Sequence, residues 1–290
     1  MTVGRTAPVT PARVGMTTLL SLLAGRGAFR LAFQAANLSL LAVWGSAVFG
    51  PYAAALGTMV WLVFVGSAVE KAVLKTMPRA RLARADLARA GLVLAAVPLV
   101  VTLAALLPAT VLAPGSRTVL YLLAATWNTA TGLLFLLAAL HRLDGRPVGD
   151  SRTFFVLGLC IAASLAAGWS FGFGPNRQLA MMDAVALALL VTTTRGLPGP
   201  WRAVRRLPRR RAVVRILART TWLLGVYDLA AAVSVSMLYL VLTLTGRGAQ
   251  ADLLFLALLG SGMAGSLLLY LLRVAAPGAS ARLRGAVGAA

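Results

Sequence analysis

The acidic residues of this chain are few enough to weigh one by one: Glu70, Asp86, Asp144, Asp150, Asp183, Asp228 and Asp252. Acid–base catalysis and hard-cation chemistry need carboxylates in groups, because a divalent cation takes several oxygen ligands. No two of these acids form a DxxD-like pair on one helix. Asp144 and Asp150 share a loop, but they flank Gly145-Arg146-Pro147 and read as turn residues. Metal centres built from softer ligands need clusters too, and the chain has one histidine, His141, and one cysteine, Cys160. His141 reads as a solvated flank of an apolar segment, and Cys160 as a small apolar packing residue. No glycine-rich stretch has the spacing of a phosphate loop. The expectation is a protein that is not an enzyme, with no catalytic residue, no cofactor and no metal site.

Asp228 is different in kind. It sits inside WLLGVYDLAAAVSVSMLYL, Trp222 to Leu240, as the one charged residue of an oily stretch. Counting at ~1.5 Å per residue from Arg219 puts it ~13 Å along a helix. A charge at mid-bilayer costs at least ~2.5 kcal/mol on insertion scales. The side chain must therefore be protonated, paired or facing water. Asn128, Asn37 and Gln34 are the other polar residues set deep in apolar segments. They can be read as interhelical hydrogen-bonding groups or, with Asp228, as the wall of one polar substrate pathway. Asp183 falls near the end of its segment, within reach of Arg177. Glu70 and Lys71 mark the mouth of another segment and read as a local neutralised pair.

The elements that carry these residues are apolar helices. The 290 residues are 60% hydrophobic and 12% charged, with a mean hydropathy of +0.86; soluble domains carry about 25% charged residues. Leu31 to Val69 is one uncharged run of 39 residues, long enough for two membrane helices of about 20 residues each, with the turn expected at Gly50-Pro51. The hydropathy pattern suggests eight spans, near 31–49, 52–69, 91–113, 118–140, 153–173, 178–194, 220–244 and 253–272. The fold class expected is an all-α, polytopic membrane bundle of about eight helices.

Charge fixes the orientation. With those spans, 25 of the 28 Lys and Arg residues fall on one side and only Arg117, Arg177 and Arg247 on the other. Basic residues are retained in the cytoplasm during insertion, so both termini are expected inside, in the cell (inner) membrane. The net charge of +21 then reports topology and attraction to anionic lipid, not nucleic acid. The strongest basic patch holds Arg205, Arg206, Arg209, Arg210 and Arg211, the expected contacts to anionic head groups. Residues 1–30 read as a cytoplasmic tail in which 1–15 is disordered and 15–30 forms an interfacial helix, with no cleavable signal. Residues 31–194 read as a six-helix lobe, 195–219 as a basic linker, 220–273 as two helices beginning a second lobe, and 274–290 as a flexible tail. In the last span Gly260, Ser261, Ala264 and Gly265 are small residues at helical spacing. They serve packing within the chain or a homo-oligomer seam.

Two stretches carry a resemblance. AANLSLLAVWGSAVFGPYAAALGTMVWLVFVGSAVEKAVLKTMPR (35–79) resembles the opening hairpin of the polysaccharide and lipid-linked oligosaccharide flippases of the multidrug/oligosaccharidyl-lipid/polysaccharide exporter superfamily. RILARTTWLLGVYDLAAAVSVSMLYLVLTLTGRGAQADLLFLAL (215–258) is similar to the helices that open that family's second half. The resemblance implies export of a lipid-linked saccharide or other amphipathic substrate through a cavity between lobes. The family has twelve to fourteen spans, and eight are read here. The alternative is a non-transporting membrane scaffold, or a permease-type subunit that needs a partner protein.

Overall fold

The computed structural model describes residues 16–80, 83–202, 211–247, 250–260, 262, 265 and 268. Among them the secondary structure is entirely helical: α1 (Met16–Thr58), a 3-10 turn (Val60–Leu62), α2 (Val63–Thr76), α3 (Arg84–Leu112), α4 (Arg117–Leu143), α5 (Pro147–Phe171), α6 (Pro175–Arg195), the single turn α7 (Gly199–Arg202), α8 (Arg211–Leu244) and a short apolar helix α9 (Ala251–Gly260). Among the described residues five helical stretches are long and apolar enough to cross a membrane: Leu20–Thr76, α3, α4, α5 and α8. The protein is a membrane protein of the all-α class.

The first of those stretches is a hairpin, and its apex is not where the sequence suggested. Gly45 takes φ 69°, ψ 169° and breaks α1 into two limbs. That φ is open to glycine and strained for other residues. Contacts follow the reversal. Arg26 lies beside Asp150 at the start of α5, Trp44 Nε1 donates to the Phe173 carbonyl beyond the end of α5, and Glu70 returns to Arg26. Pro51, the expected turn residue, lies inside the second limb. Six residues past Gly45 it is beyond the first turn, so the helix runs through it with one backbone hydrogen bond fewer. The hairpin thus turns five residues earlier than Gly50-Pro51, and its first limb starts at Met16. The proposed interfacial helix over 15–30 is therefore part of this limb from Met16 onward.

α4 is the axis of the bundle and is buried along nearly its whole length. Its middle explains why. Ala124 to Gly132 is Ala-Ala-Thr-Trp-Asn-Thr-Ala-Thr-Gly, with Trp127 the one large side chain. Small residues let neighbouring backbones close in. A Cβ built on Gly66 of α2 would collide with the backbone of Gly132. Trp127 stacks on Phe33, 5.7 Å between centroids, and is a core residue. α2, α3, α5 and α6 surround α4, α1 lies along α5, and α8 lies on α1 and α2 at the edge. The outer faces of α3 and α8 expose Val100, Val101, Leu107, Leu223, Leu238 and Val241, as a lipid-facing surface requires.

The ends of the bundle differ. The end formed by the start of α1, the end of α2 and the α4–α5 turn carries ionised side chains. The opposite end holds Gly45 and the short connections around Gly115 and Gly172, whose positive φ values suit tight turns. Of the expected disordered tail, 1–15, nothing lies within the described residues, and the same is true of 269–290.

Candidate functional site

Two ionic constellations sit on the helices at the charged end. The deeper one joins four helices. The turn between α4 and α5 is short: Asp144 caps α4, Gly145 has φ 82°, and α5 begins at Pro147. This brings Arg142, in the last turn of α4, beside Asp150, in the first turn of α5. Each charge suits the dipole of its own helix end. Arg142 Nε lies 3.0 Å from Asp150 Oδ2, and Arg142 Nη2 donates to Glu70 Oε1 at 2.9 Å. Arg26 of α1 completes the square, with Nε 3.3 Å from Asp150 Oδ1 and Nη2 3.5 Å from Glu70 Oε1. Glu70 and Asp150 are fully buried. The Arg26 guanidinium also lies over the Phe154 and Phe135 rings, 4.6 and 5.1 Å from their centroids, where the ring faces attract a cation. Ser151 Oγ donates to the Ser21 carbonyl at 2.6 Å and fixes the neighbouring turn of α5 to α1.

This square corrects the expectations for Glu70 and Asp150, and the end of α6 corrects that for His141. Glu70 and Lys71 do not neutralise each other. Neighbours on a helix point about 100° apart, and Glu70 turns inward to the two arginines. Asp150 is not a turn residue on the surface but a buried ion-pair partner; Asp144 does remain at the turn, 3.4 Å from the exposed Arg146. His141 is not solvated. It is buried, and its Nε2 lies 3.0 Å from the Thr193 carbonyl at the end of α6. Two acids do meet in space, as Glu70 and Asp150, but both arginines bridge them, so the cluster carries two positive and two negative charges. Among the described residues no group of His, Cys, Asp or Glu is arranged to hold a metal ion.

The second constellation is the seam between α2 and α8. Lys71 Nζ and Asp228 Oδ2 form an ion pair, and each side chain keeps about a fifth of its surface exposed. The carboxylate in the oily segment is thus engaged by a lysine. Antiparallel packing explains the meeting. Gly225 allows α8 to rest on Ala68 and Phe64 of α2, and three residues later Asp228 faces the same helix. Farther along, Ser236 Oγ donates to the Gly57 carbonyl at 3.2 Å, and Tyr239 lies against Gly57.

No family model matches this chain, and neither does any curated protein or solved structure. The site is therefore read from its own geometry.

Between the ion pair and the Ser236 contact lies a groove of about 350 Å³ lined by Thr58, Trp61, Leu229, Val233, Ser236, Met237 and Leu240. Its wall is almost wholly apolar; Thr58 Oγ1 is buried there without a hydrogen-bond partner among the described residues. None of Asp228, Asn37, Gln34 and Asn128 lines it, although Leu229 adjoins Asp228. Asn37 Nδ2 donates to the Phe33 carbonyl at 2.8 Å within α1. Asn128 Nδ2 donates to the Ala124 carbonyl at 2.8 Å and to Leu56 at 3.5 Å. Both amides thus bond to backbone, Asn37 within its own helix and Asn128 also across to α1. Gln34 Oε1 is buried without a partner among the described residues. Asp183, expected to reach Arg177 at the interface, is instead buried and makes no such pair.

Of the expected lipid contacts, Arg211 is the exposed first residue of α8, while Arg205, Arg206, Arg209 and Arg210 lie outside the described residues. In the small-residue stretch, a Cβ on Gly260 or Gly265 would meet nothing within 4 Å; Ser261 and Ala264 lie outside the described residues. Sequence reading missed Arg26, Arg142 and Asp150 as a unit. The one available signal was their type: a buried guanidinium needs carboxylates, and Arg26 lies within an otherwise apolar run.

Proposed function

We propose that this chain is a flippase-like membrane transport protein that exports an amphipathic substrate, such as a lipid-linked saccharide, across the cell (inner) membrane. In this reading it crosses the bilayer eight times, the two limbs of the first hairpin, α3 to α6, α8 and the helix begun by α9, with both termini in the cytoplasm. The observation that carries the reading is the α2–α8 seam. A partly exposed ion pair stands beside an apolar groove where the first hairpin meets α8. A lipid-linked substrate combines an acyl or prenyl tail with a charged head. The groove suits the tail, and Lys71 and Asp228 suit the head, since a phosphate attracts the ammonium and releases the carboxylate. The Arg26–Glu70–Arg142–Asp150 square holds α1, α2, α4 and α5 as one body against which α8 moves. Asp228 is then a gate partner rather than the wall of a wet chamber.

Reconstitution of the full chain in vesicles with a fluorescent polyprenyl-diphosphate sugar tests the reading. Reduction by an impermeant quencher is expected to reach about all of the probe with protein present and the outer leaflet alone without it. Equal protection in both refutes transport.

One feature favours the alternative of a subunit. α8 buries little of its apolar surface and leaves Trp222 and Tyr227 largely exposed, as a helix that meets a partner protein would. Purification in mild detergent separates the two readings: a stoichiometric partner supports the second, and a chain that transports alone supports the first.

A further inference from the structure

Asp183 takes part in none of the ion pairs among the described residues. It lies eight residues into α6, ~12 Å from the start of that helix. It is 3% exposed, and both carboxyl oxygens are buried without a hydrogen-bond partner among the described residues. Arg177 is exposed and six residues away, so it projects from another side of the helix, roughly 240° around.

The neighbouring elements supply no cation at that level. From α1, Tyr52 is fully buried; its hydroxyl lies 4.0 Å from the sulfur of Met182 and within electrostatic reach of Asp183. Arg26 and Arg30 of the same element are at the charged end. α4 runs parallel to α6, and the His141–Thr193 contact sets an offset of 52 residues that puts Thr131 level with Asp183. Thr131 Oγ1 is also buried without a partner among the described residues. The titratable side chains of α4 are Arg117 and Tyr121 at one end and His141 and Arg142 at the other. On α5 they are Asp150 and Arg152 at the charged end and Cys160.

We propose that the Asp183 carboxyl is a proton-binding site inside the bundle, occupied in this conformation, beside Tyr52 and level with Thr131. An isolated carboxylate in a low-dielectric interior is so costly that the group neutralises instead. The neutral acid brings an O–H donor and a carbonyl acceptor, and in this structure neither the Tyr52 nor the Thr131 hydroxyl is hydrogen-bonded to it. Filling the site takes one proton from bulk water and forms one O–H bond; emptying it returns that proton, and no electrons move. Use of the site to drive export rests on the transport reading above, whereas its occupancy does not.

Infrared difference spectroscopy on the reconstituted full chain reads the occupancy directly. At neutral pH a carboxylic-acid C=O stretch, separate from the amide bands, is expected in the wild type. It is expected to vanish wholly in Asp183→Asn and to remain in Asp228→Asn. Identical spectra for wild type and Asp183→Asn, or a band that appears only when sodium is removed, overturn the proposal. Should Asp183→Asn not fold, carbodiimide labelling of the wild type replaces it, because that reagent attacks protonated carboxyls. An adduct on the Asp183 peptide at neutral pH supports the site, and labelling confined to other acids overturns it. An occupied site in a protein that moves no probe would refute transport and leave the proton site standing.

Discussion

Lys71 on α2 and Asp228 on α8, 157 positions apart in the chain, meet as an ion pair at the seam between the first hairpin and the late helices. The pair answers what a carboxylate is doing in an oily helix. Lysine carries a long flexible stem that can reach along a helix to a partner, and antiparallel packing brings that partner within reach. Because both groups keep some exposure, the pair can part at lower cost than one sealed in the core.

Breaking this pair should affect transport more than folding. Asp228→Asn is expected to lower the flux of the fluorescent probe at least ~tenfold, about 1.4 kcal/mol, while destabilising the protein by no more than about 1–3 kcal/mol. The exchanged pair, Lys71→Asp with Asp228→Lys, should recover part of both losses. Flux in Asp228→Asn equal to wild type would remove the seam from the mechanism.

The square of Arg26, Glu70, Arg142 and Asp150 should behave as a structural unit. Glu70→Gln leaves two buried guanidinium groups sharing one carboxylate, and loss of one partner from a buried pair costs about 3–5 kcal/mol. Chemical unfolding in detergent is the measurement. A change below ~0.5 kcal/mol, the scale of an ordinary surface substitution, contradicts the role given to the square.

The close approach of α2 and α4 makes a sharper contrast. Gly66→Ala places a methyl in the backbone of Gly132, which must shift, and overpacking of this kind costs about 1–3 kcal/mol. Gly27→Ala, where a Cβ meets nothing within 4 Å, should be neutral or gain about 0.5–1 kcal/mol in a helix interior. Equal melting temperatures for the two variants would mean that the helices do not touch there.

Hydropathy and charge made the helical membrane class legible, because both depend only on local composition and length. What they left hidden depends on partners distant in sequence. Glu70 looked satisfied by Lys71, yet one helical step of rotation sends the two side chains to different neighbours. Pro51 looked like a turn, yet the helix runs through it, and the positive φ fell to Gly45. Asp183 looked interfacial because it was placed by counting five residues into a span that starts at 178; the packing of α4 and of Tyr52 around it has no trace in spacing. The small residues of α4 were the missed clue to the centre of the bundle, since a run of Ala, Thr and Gly in an apolar helix marks where other helices close in.

Orientation can be checked in a Cys160→Ser background. A thiol at Ala203→Cys, in the basic linker, is expected to react with an impermeant maleimide only in inverted vesicles. One at Gly174→Cys, in the α5–α6 connection, should react in whole cells. The reverse pattern would invert the topology and place the basic linker outside.

The most direct measurement is to tie the seam shut and reopen it. In the Cys160→Ser background, Lys71→Cys and Asp228→Cys are joined by a reductant-cleavable bis-thiol crosslinker in vesicles loaded with the fluorescent probe. The account predicts that flux stops on crosslinking, returns on reduction, and is untouched by the reagent in either single-cysteine variant. Undiminished flux with the two helices covalently joined would show that α2 and α8 need not part, and would contradict the account.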